Sequence, residues 1–131
     1  MGTSRQGGIT AAHLEDPTDK QWEDDAEMKV WRAWMAEYMP GANLGEVNYV
    51  YAYSVAFLME ATLKRCGDAL TRANLMKQAA GFQKFRVPGL LPGITVSTSS
   101  TDYYPIQAVQ LQRFKGRTWE LFGQVMSAES S

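Results

Sequence analysis

The sequence predicts an α/β fold of three helices, short strands and a C-terminal hairpin, and it predicts that this fold is an incomplete portion of a larger one. Helical periodicity marks three segments, and alternation of polar and apolar residues marks strands near both ends of the chain. A region rich in proline and glycine separates the last helix from the hairpin. The 131 residues are 45% hydrophobic and 21% charged, which indicates one globular domain without a separate second one.

Strands are predicted at the two ends of the chain. Residues 8–14 alternate between two faces and are followed by a proline-containing turn. Residues 107–114 also alternate, Lys115 and Gly116 provide a turn signal, and residues 117–123 return. This pattern predicts a C-terminal hairpin.

The first helix is predicted over residues 23–39. Acidic side chains crowd its first turns, where the helix dipole favours negative charge, and Pro40 with Gly41 ends it. Four large side chains recur at helical spacing and are predicted to share one stripe. They are Met28, Trp31, Met35 and Tyr38.

The second helix is predicted to run from Asn48, as its N-cap, to Cys66, with Gly67 in the left-handed position that ends a helix. It is apolar nearly all round until Glu60. A helix of this kind is expected to lie between two layers rather than on a surface.

The third helix is predicted to begin at Thr71, its N-cap, and to fade at Ala80, with Leu75 and Met76 pointing inward. Residues 82–105 then form a long irregular connection with one short predicted strand at 94–97. Connections of this length are uncommon in compact domains and are often functional.

Composition excludes several classes of function. Thirteen basic and fourteen acidic residues leave a net charge of -1, so we expect no binding to nucleic acid. Cys66 in the last turn of a helix and His13 on the first strand are the chain's single cysteine and histidine, which excludes an intrachain disulfide and a Cys/His zinc site. Because no nucleophile motif or phosphate-binding loop is present either, the sequence predicts no enzyme, no metal and no cofactor.

No targeting segment is visible in this sequence. The most apolar run, residues 49–59, is shorter than the roughly 20 residues that span a bilayer. Residues 1–8 lack the apolar core of a signal peptide. Expressed as written, the chain is therefore expected to stay in the cytoplasm.

The predicted elements do not bury their own faces. The first strand and the hairpin need a wider sheet than this chain supplies, and the second helix needs a neighbour on each side. The sequence therefore indicates part of a larger fold.

Nine short segments, in order and spread over nearly the whole chain, carry a family resemblance. They are residues 14–22 (LEDPTDKQW), 28–34 (MKVWRAW), 38–42 (YMPGA), 48–53 (NYVYAY), 64–68 (KRCGD), 70–79 (LTRANLMKQA), 90–94 (LLPGI), 101–102 (TD) and 113–116 (RFKG). As a set they resemble the C-terminal third of solute-binding receptors of branched-chain amino-acid-type ABC importers. These receptors are type I periplasmic binding proteins of the leucine-binding kind.

The resemblance implies two α/β lobes that close on a small organic solute, such as an amino acid, and deliver it to an ABC permease. It places residues 1–131 as the C-terminal part of a periplasmic receptor of this kind. Residues 8–14 and the hairpin would then belong to the second lobe, the first two helices would cover the first lobe, and residues 106–111 would cross between the lobes.

The start of the second helix is the best candidate for a binding site. Helix N-termini point free N–H groups at anions, and the resemblance implies that this helix starts close to the cleft. Asn48 and Tyr49 are therefore predicted ligand-binding residues, with Tyr51 as a third. The alternative is that Asn48 only caps the helix and the tyrosines only pack.

A second hypothesis is a non-transporting remnant or scaffold that self-associates, as a homo-oligomer, through exposed apolar faces. The receptor hypothesis predicts a monomer that a ligand stabilises once the rest of the lobes is present. The remnant hypothesis predicts concentration-dependent oligomers without a ligand response. The residues that select the solute are expected to lie mostly outside this chain, so the sequence does not identify the solute.

Overall fold

The computed structural model describes residues 7–128, and these form three α-helices, a short 3-10 helix (Lys20–Trp22) and a three-stranded sheet. The elements are β1 (Ile9–Ala12), α1 (Ala26–Tyr38), α2 (Val47–Cys66), α3 (Arg72–Ala79), β2 (Ala108–Lys115) and β3 (Thr118–Ser127). The sheet is antiparallel with the order β1-β2-β3. The predicted α/β class, with three helices and a C-terminal hairpin, is confirmed. The expectations for residues 1–6 and 129–131 lie outside the described residues.

The hairpin turn and the end of β3 differ slightly from the prediction. Lys115 pairs with Thr118, so Gly116, with a φ of 74°, and Arg117 form the loop. β3 also continues to Ser127 instead of ending at Gly123. It does so because an irregularity opposite Gln110 absorbs extra residues and lets the pairing resume beyond it.

The chain that leaves β1 changes its pairing partner. β1 pairs with β2, whereas Leu14 forms a bridge with Leu90. Two backbone hydrogen bonds flank that bridge, each of 2.9 Å, from the Glu15 N–H to the Gly89 carbonyl and from the Leu91 N–H to the His13 carbonyl. His13 therefore follows β1 instead of lying within it, and residues 13–15 enter the interior.

α1 begins later than predicted and buries only part of its stripe. Asp25 is the N-cap, and its carboxylate accepts a hydrogen bond of 2.9 Å from the Met28 N–H. Met28, Trp31 and Met35 are each 1% exposed and form a core with Val50 of α2. The fourth predicted member, Tyr38 in the last turn, is 60% exposed. Three of the four side chains of the predicted stripe are therefore buried, and the fourth is exposed at the end of the helix.

α2 begins at Val47 with Glu46 as its N-cap residue, and no side chain of the described residues caps it. The prediction that Asn48 is the N-cap is wrong, because Asn48 lies inside the first turn and its amide donates to the Glu46 carboxylate (3.0 Å). The other end agrees with the prediction, since Cys66 is the last helical residue and Gly67 has a φ of 54°.

α3 is short and lies on the surface. Thr71 caps it as predicted, with its hydroxyl accepting from the Asn74 N–H at 3.2 Å. Leu75 is half-buried, but Met76 is exposed, so the prediction that both point inward is wrong for Met76. Eight residues present only about two turns, and only a narrow stripe of these contacts the rest of the protein.

Residues 82–98, here called the core segment, hold the main hydrophobic core without forming a helix or strand. The predicted strand at 94–97 is reduced to a single bridge between Phe85 and Val96. The fully buried side chains of this core are Phe82, Val87, Leu90, Leu91, Ile94 and Val96. α2 covers them through Phe57, Leu58 and Ala61, and the sheet covers them through Ala12, Ala108, Leu121 and Val125.

α2 was expected to be covered by other elements on two sides. The described residues cover its inner side and leave its outer side exposed. Its inner face buries Val50, Ser54, Thr62 and Cys66. Its outer face exposes an apolar side chain at every fourth position, each between 37% and 51% exposed. This outer stripe consists of Val47, Tyr51, Val55, Met59 and Leu63. Within residues 7–128, no helix has both the length and the apolarity needed to cross a membrane.

Candidate functional site

An open cleft of about 610 Å³ lies where α2 approaches the chain that enters β2 and the chain that leaves β3. Its lining residues are His13, Tyr51, Pro105, Ile106, Gln107, Ala108, Val109, Met126, Ser127 and Ala128. We call this the β2–β3 cleft. Small-molecule sites occupy about 300–1,000 Å³, so the cleft has room for a metabolite-sized solute.

The β2–β3 cleft combines apolar walls with a few polar groups. Ile106, Val109 and Met126 supply apolar surface, while Tyr51 and Gln107 supply hydrogen-bonding groups. The Gln107 amide is already oriented, because its nitrogen donates to the Asp102 carboxylate at 2.6 Å and to the Tyr104 carbonyl at 3.0 Å. This combination is typical of sites that bind small organic molecules.

Tyr51 reaches the cleft from the second turn of α2. Its side chain is 48% exposed, and it belongs to the outer stripe of that helix. Residues two positions apart point to nearly opposite sides of a helix, so Tyr49 and Tyr51 face different parts of the protein. The structure thus brings one of the three predicted site residues to this cleft.

Tyr49 lies instead in a second cavity, the groove between α1 and α2, which also measures about 610 Å³. The residues that line it are Trp34, Met35, Met39, Tyr49, Ala52, Tyr53, Ala56, Phe57 and Glu60. Trp34 and Tyr53 meet there edge to face, with ring centroids 5.5 Å apart. The groove is lined mainly by apolar and aromatic side chains, and Glu60, Tyr49 and Tyr53 supply its polar atoms.

Asn48 lines neither cavity. It is exposed at the start of α2, where its amide donates to Glu46. A helix start attracts anions through its free N–H groups, but the Glu46 carboxylate places a negative charge at this one. An anionic ligand group would have to approach against that charge.

Sequence reasoning did not single out His13 and Gln107 as site residues. A signal for Gln107 was present, because residues 106–111 were expected to cross between lobes, and a solute cleft borders such crossings. No comparable signal marked His13. Its place in the cleft follows from the change of pairing partner after β1, which the sequence does not encode locally.

A separate charged cluster lies beside the core segment. Glu15 is 0% exposed, and burial, together with the nearby charges of Asp25 and Glu27, raises the pKa of its carboxyl to about 7 against the opposing effect of Arg86. The Arg86 guanidinium lies 3.8 Å from Glu15 and 2.6 Å from Glu27. The opposing charge of Arg86 thus compensates the buried carboxyl only in part.

The fold defined by these elements matches one part of the periplasmic-binding-protein fold. Among solved structures, the chain is similar to a branched-chain amino acid ABC transporter from Thermus thermophilus with bound valine. The TM-score is 0.67 at 14% sequence identity, and the match covers 94% of this chain and 34% of that one. The chain therefore spans about a third of the length of that structure. No protein-family model and no curated protein matches this sequence.

Proposed function

We propose that this chain is the C-terminal part of the solute-binding component of an ABC importer. In that role it helps to capture a small organic solute, such as an amino acid, in the periplasm and deliver it to a permease, and it catalyses no reaction. The observation that carries the proposal is the agreement in fold, over 94% of the chain, with the valine-bound transporter structure.

The β2–β3 cleft is the proposed solute surface, and Tyr51 is its proposed contact residue. The face of an aromatic ring attracts an ammonium group, and a phenol hydroxyl both donates and accepts hydrogen bonds. Gln107 and the apolar wall around Val109 would complete the contact with an amino acid. Asn48 and Tyr49 stay predictions, because their contacts in this structure are to Glu46 and to the α1–α2 groove.

The proposal is tested by thermal unfolding of the chain with a panel of amino acids and small organic acids. Because the chain spans about a third of its structural neighbour, we expect weak binding, with a dissociation constant on the order of 1 mM. At least one ligand should raise the unfolding temperature of the native chain. Tyr51→Ala should abolish that shift. Tyr38→Ala, which removes an exposed tyrosine outside the cleft, should retain it.

Two results would contradict the proposal that this chain alone presents a solute surface at Tyr51. One is a panel in which no ligand stabilises the native chain. The other is a shift that is equally large in the native chain and in Tyr51→Ala, because binding would then occur away from the proposed contact.

The outer stripe of α2 favours a second candidate function, self-association through exposed apolar faces. Side chains spaced by four residues form one of the ridges by which helices pack together. Met59 lies near the centre of the stripe and is 51% exposed. A second copy of the stripe could cover it in a homo-oligomer.

Sedimentation velocity over a range of concentrations tests this candidate. If the stripe drives association, Met59→Lys should yield a monomer at concentrations where the native chain forms oligomers. Met76→Lys is the matched control, because Met76 is 52% exposed but lies on α3, outside the stripe. A native chain that stays monomeric throughout would exclude this candidate.

A further inference from the structure

Glu15 is buried, and its carboxylate oxygens lack hydrogen-bonding partners among the described residues. It is 0% exposed, and neither of its oxygens accepts a hydrogen bond from the described residues. Its nearest cationic group is the Arg86 guanidinium at 3.8 Å. Burying a carboxylate without hydrogen-bonding partners is costly, so such a group usually has a compensating species beside it.

Two more carboxylates face Glu15 from the start of α1. One oxygen of each of Glu15, Asp25 and Glu27 can be chosen so that all three lie within 4.8 Å of one another. Calcium binds oxygen ligands at about 2.3–2.6 Å, so ligands around one ion lie at most about 5 Å apart. The three carboxylates thus have the mutual spacing of ligands to a single ion.

Arg86 neutralises only part of this charge. Its guanidinium binds Glu27 at 2.6 Å and is also held by the carbonyls of Leu91 (3.1 Å) and Ile94 (3.4 Å). Those bonds anchor the guanidinium to the core segment. Above pH 7, where Glu15 is ionised, three carboxylates and one guanidinium leave two negative charges, which is the charge that one divalent cation balances.

We propose that Glu15, Asp25 and Glu27 form a binding site for a calcium-sized divalent cation. The donors are all carboxylate oxygens, which suit hard cations, and the donor set includes no nitrogen or sulfur atom to favour zinc. Asp25 and Glu27 are only half-buried, so water can complete the six to eight ligands that calcium takes. The single cysteine and single histidine exclude a Cys/His zinc site. They do not argue against a site whose ligands are all oxygen atoms.

The ion would join two parts of the chain. Glu15 bonds to the core segment through Gly89, and Asp25 with Glu27 begins α1. Because the site exists only when these parts are folded together, cation binding should stabilise the folded chain.

Calcium titration of the metal-free native chain, followed by thermal unfolding and calorimetry, tests the proposal at about pH 8, where Glu15 is ionised. At about 10 mM calcium we expect the unfolding temperature to rise by about 3–6 °C. Magnesium should give a smaller shift, because it requires shorter bonds and a stricter geometry. Glu15→Gln and Glu27→Gln should each weaken calcium binding at least about tenfold, since each removes a charged ligand.

Asp24→Asn is the matched control. Asp24 adjoins the cluster in sequence, but its side chain is 96% exposed and pairs with Lys29, so the calcium shift should be unchanged. A native chain that calcium does not stabilise would overturn the proposal. Equal shifts in native chain, Glu15→Gln and Glu27→Gln would also overturn it. If Glu15→Gln fails to fold, Glu27→Gln alone decides between these outcomes.

Discussion

The core segment and α2 show that regular secondary structure does not predict how deeply a segment is buried. Residues 82–98 form no helix or strand, yet they contain six of the most deeply buried side chains of the described protein. α2 is a regular helix of 20 residues, yet its outer stripe exposes five apolar side chains. Burial follows from what surrounds a segment. The exposed stripe therefore identifies the side of the molecule on which a covering surface is expected.

An irregular segment can be buried only if its backbone groups find partners. Phe85 and Val96 exchange two backbone hydrogen bonds of 2.8 Å, and the Thr98 N–H donates to the Phe82 carbonyl at 2.9 Å. The Thr98 hydroxyl also accepts from the Phe82 N–H, at 3.1 Å. These bonds replace a regular ladder, and they let the core segment form the interior.

Truncation of one apolar side chain in the core segment and of one in α2 should give the largest difference in the free energy of unfolding between the two regions. Leu91 in the core segment is 1% exposed, so Leu91→Ala should lower the free energy of unfolding by about 2–5 kcal/mol. Met59→Ala in the outer stripe removes a side chain that is 51% exposed and should cost under about 0.5 kcal/mol. Urea unfolding of both variants measures the difference, and equal costs would contradict the comparison.

The close approach of the core segment to α2 gives the next largest effect. A Cβ on Gly89, whose φ is 86°, would lie 2.7 Å from Val50 Cγ1 and 2.8 Å from Ser54 Oγ. Gly89→Ala should cost about 3 kcal/mol from strain and overpacking together. Gly41 has the same φ and open space around it, so Gly41→Ala should cost only about 1 kcal/mol of backbone strain. Chemical unfolding of both variants tests whether packing adds to strain.

Glu15, which enters the core beside Gly89, should make stability depend on pH. Its pKa is about 7 in the folded protein and 4.5 as an ordinary carboxyl. Between those values the folded chain holds a proton that the unfolded chain has lost, so stability decreases as pH rises. The full loss, about 3 kcal/mol above pH 7, should be measurable by urea unfolding in the presence of a chelator. Glu15→Gln should lack this slope, and a native profile as flat as that of the variant would contradict the assignment.

The smallest effects concern helix starts. Asn48 does not cap α2, so Asn48→Ala should change the free energy of unfolding by under about 0.5 kcal/mol. Thr71 does cap α3, and Thr71→Ala should cost about 1 kcal/mol. If Asn48→Ala proves as costly as Thr71→Ala in thermal unfolding, α2 depends on its start more than on its contact with the core segment.

Local signals were sufficient for the fold class, the three helices and the hairpin. Thr71 and Gly67 were placed correctly because a cap and a left-handed position depend on neighbouring residues. The burial of Glu15 was not predictable, because it requires the pairing of residues 13–15 with 89–91, which are distant in sequence. The exposure of Met76 depends on what packs against α3, and the spacing of residues along that helix does not contain this information.

The candidate site also combines a residue that local signals identified with residues that only contacts between distant segments bring together. Tyr51 was identified from its position near a helix start, but its separation from Tyr49 follows from which neighbours each side of α2 meets. His13 and Gln107 join Tyr51 through contacts between segments far apart in the chain. Helical spacing could indicate that the two tyrosines diverge, but only the folded structure shows what each of them faces.

The most direct test of the central claim is an NMR titration of the isotope-labelled chain with the amino acid that stabilises it most. If the chain belongs to a solute receptor and binds through the β2–β3 cleft, shift changes should cluster at Tyr51, Gln107 and Val109 and saturate together. Changes confined to Trp34 and Tyr53 in the α1–α2 groove, or no changes with any amino acid, would contradict the account.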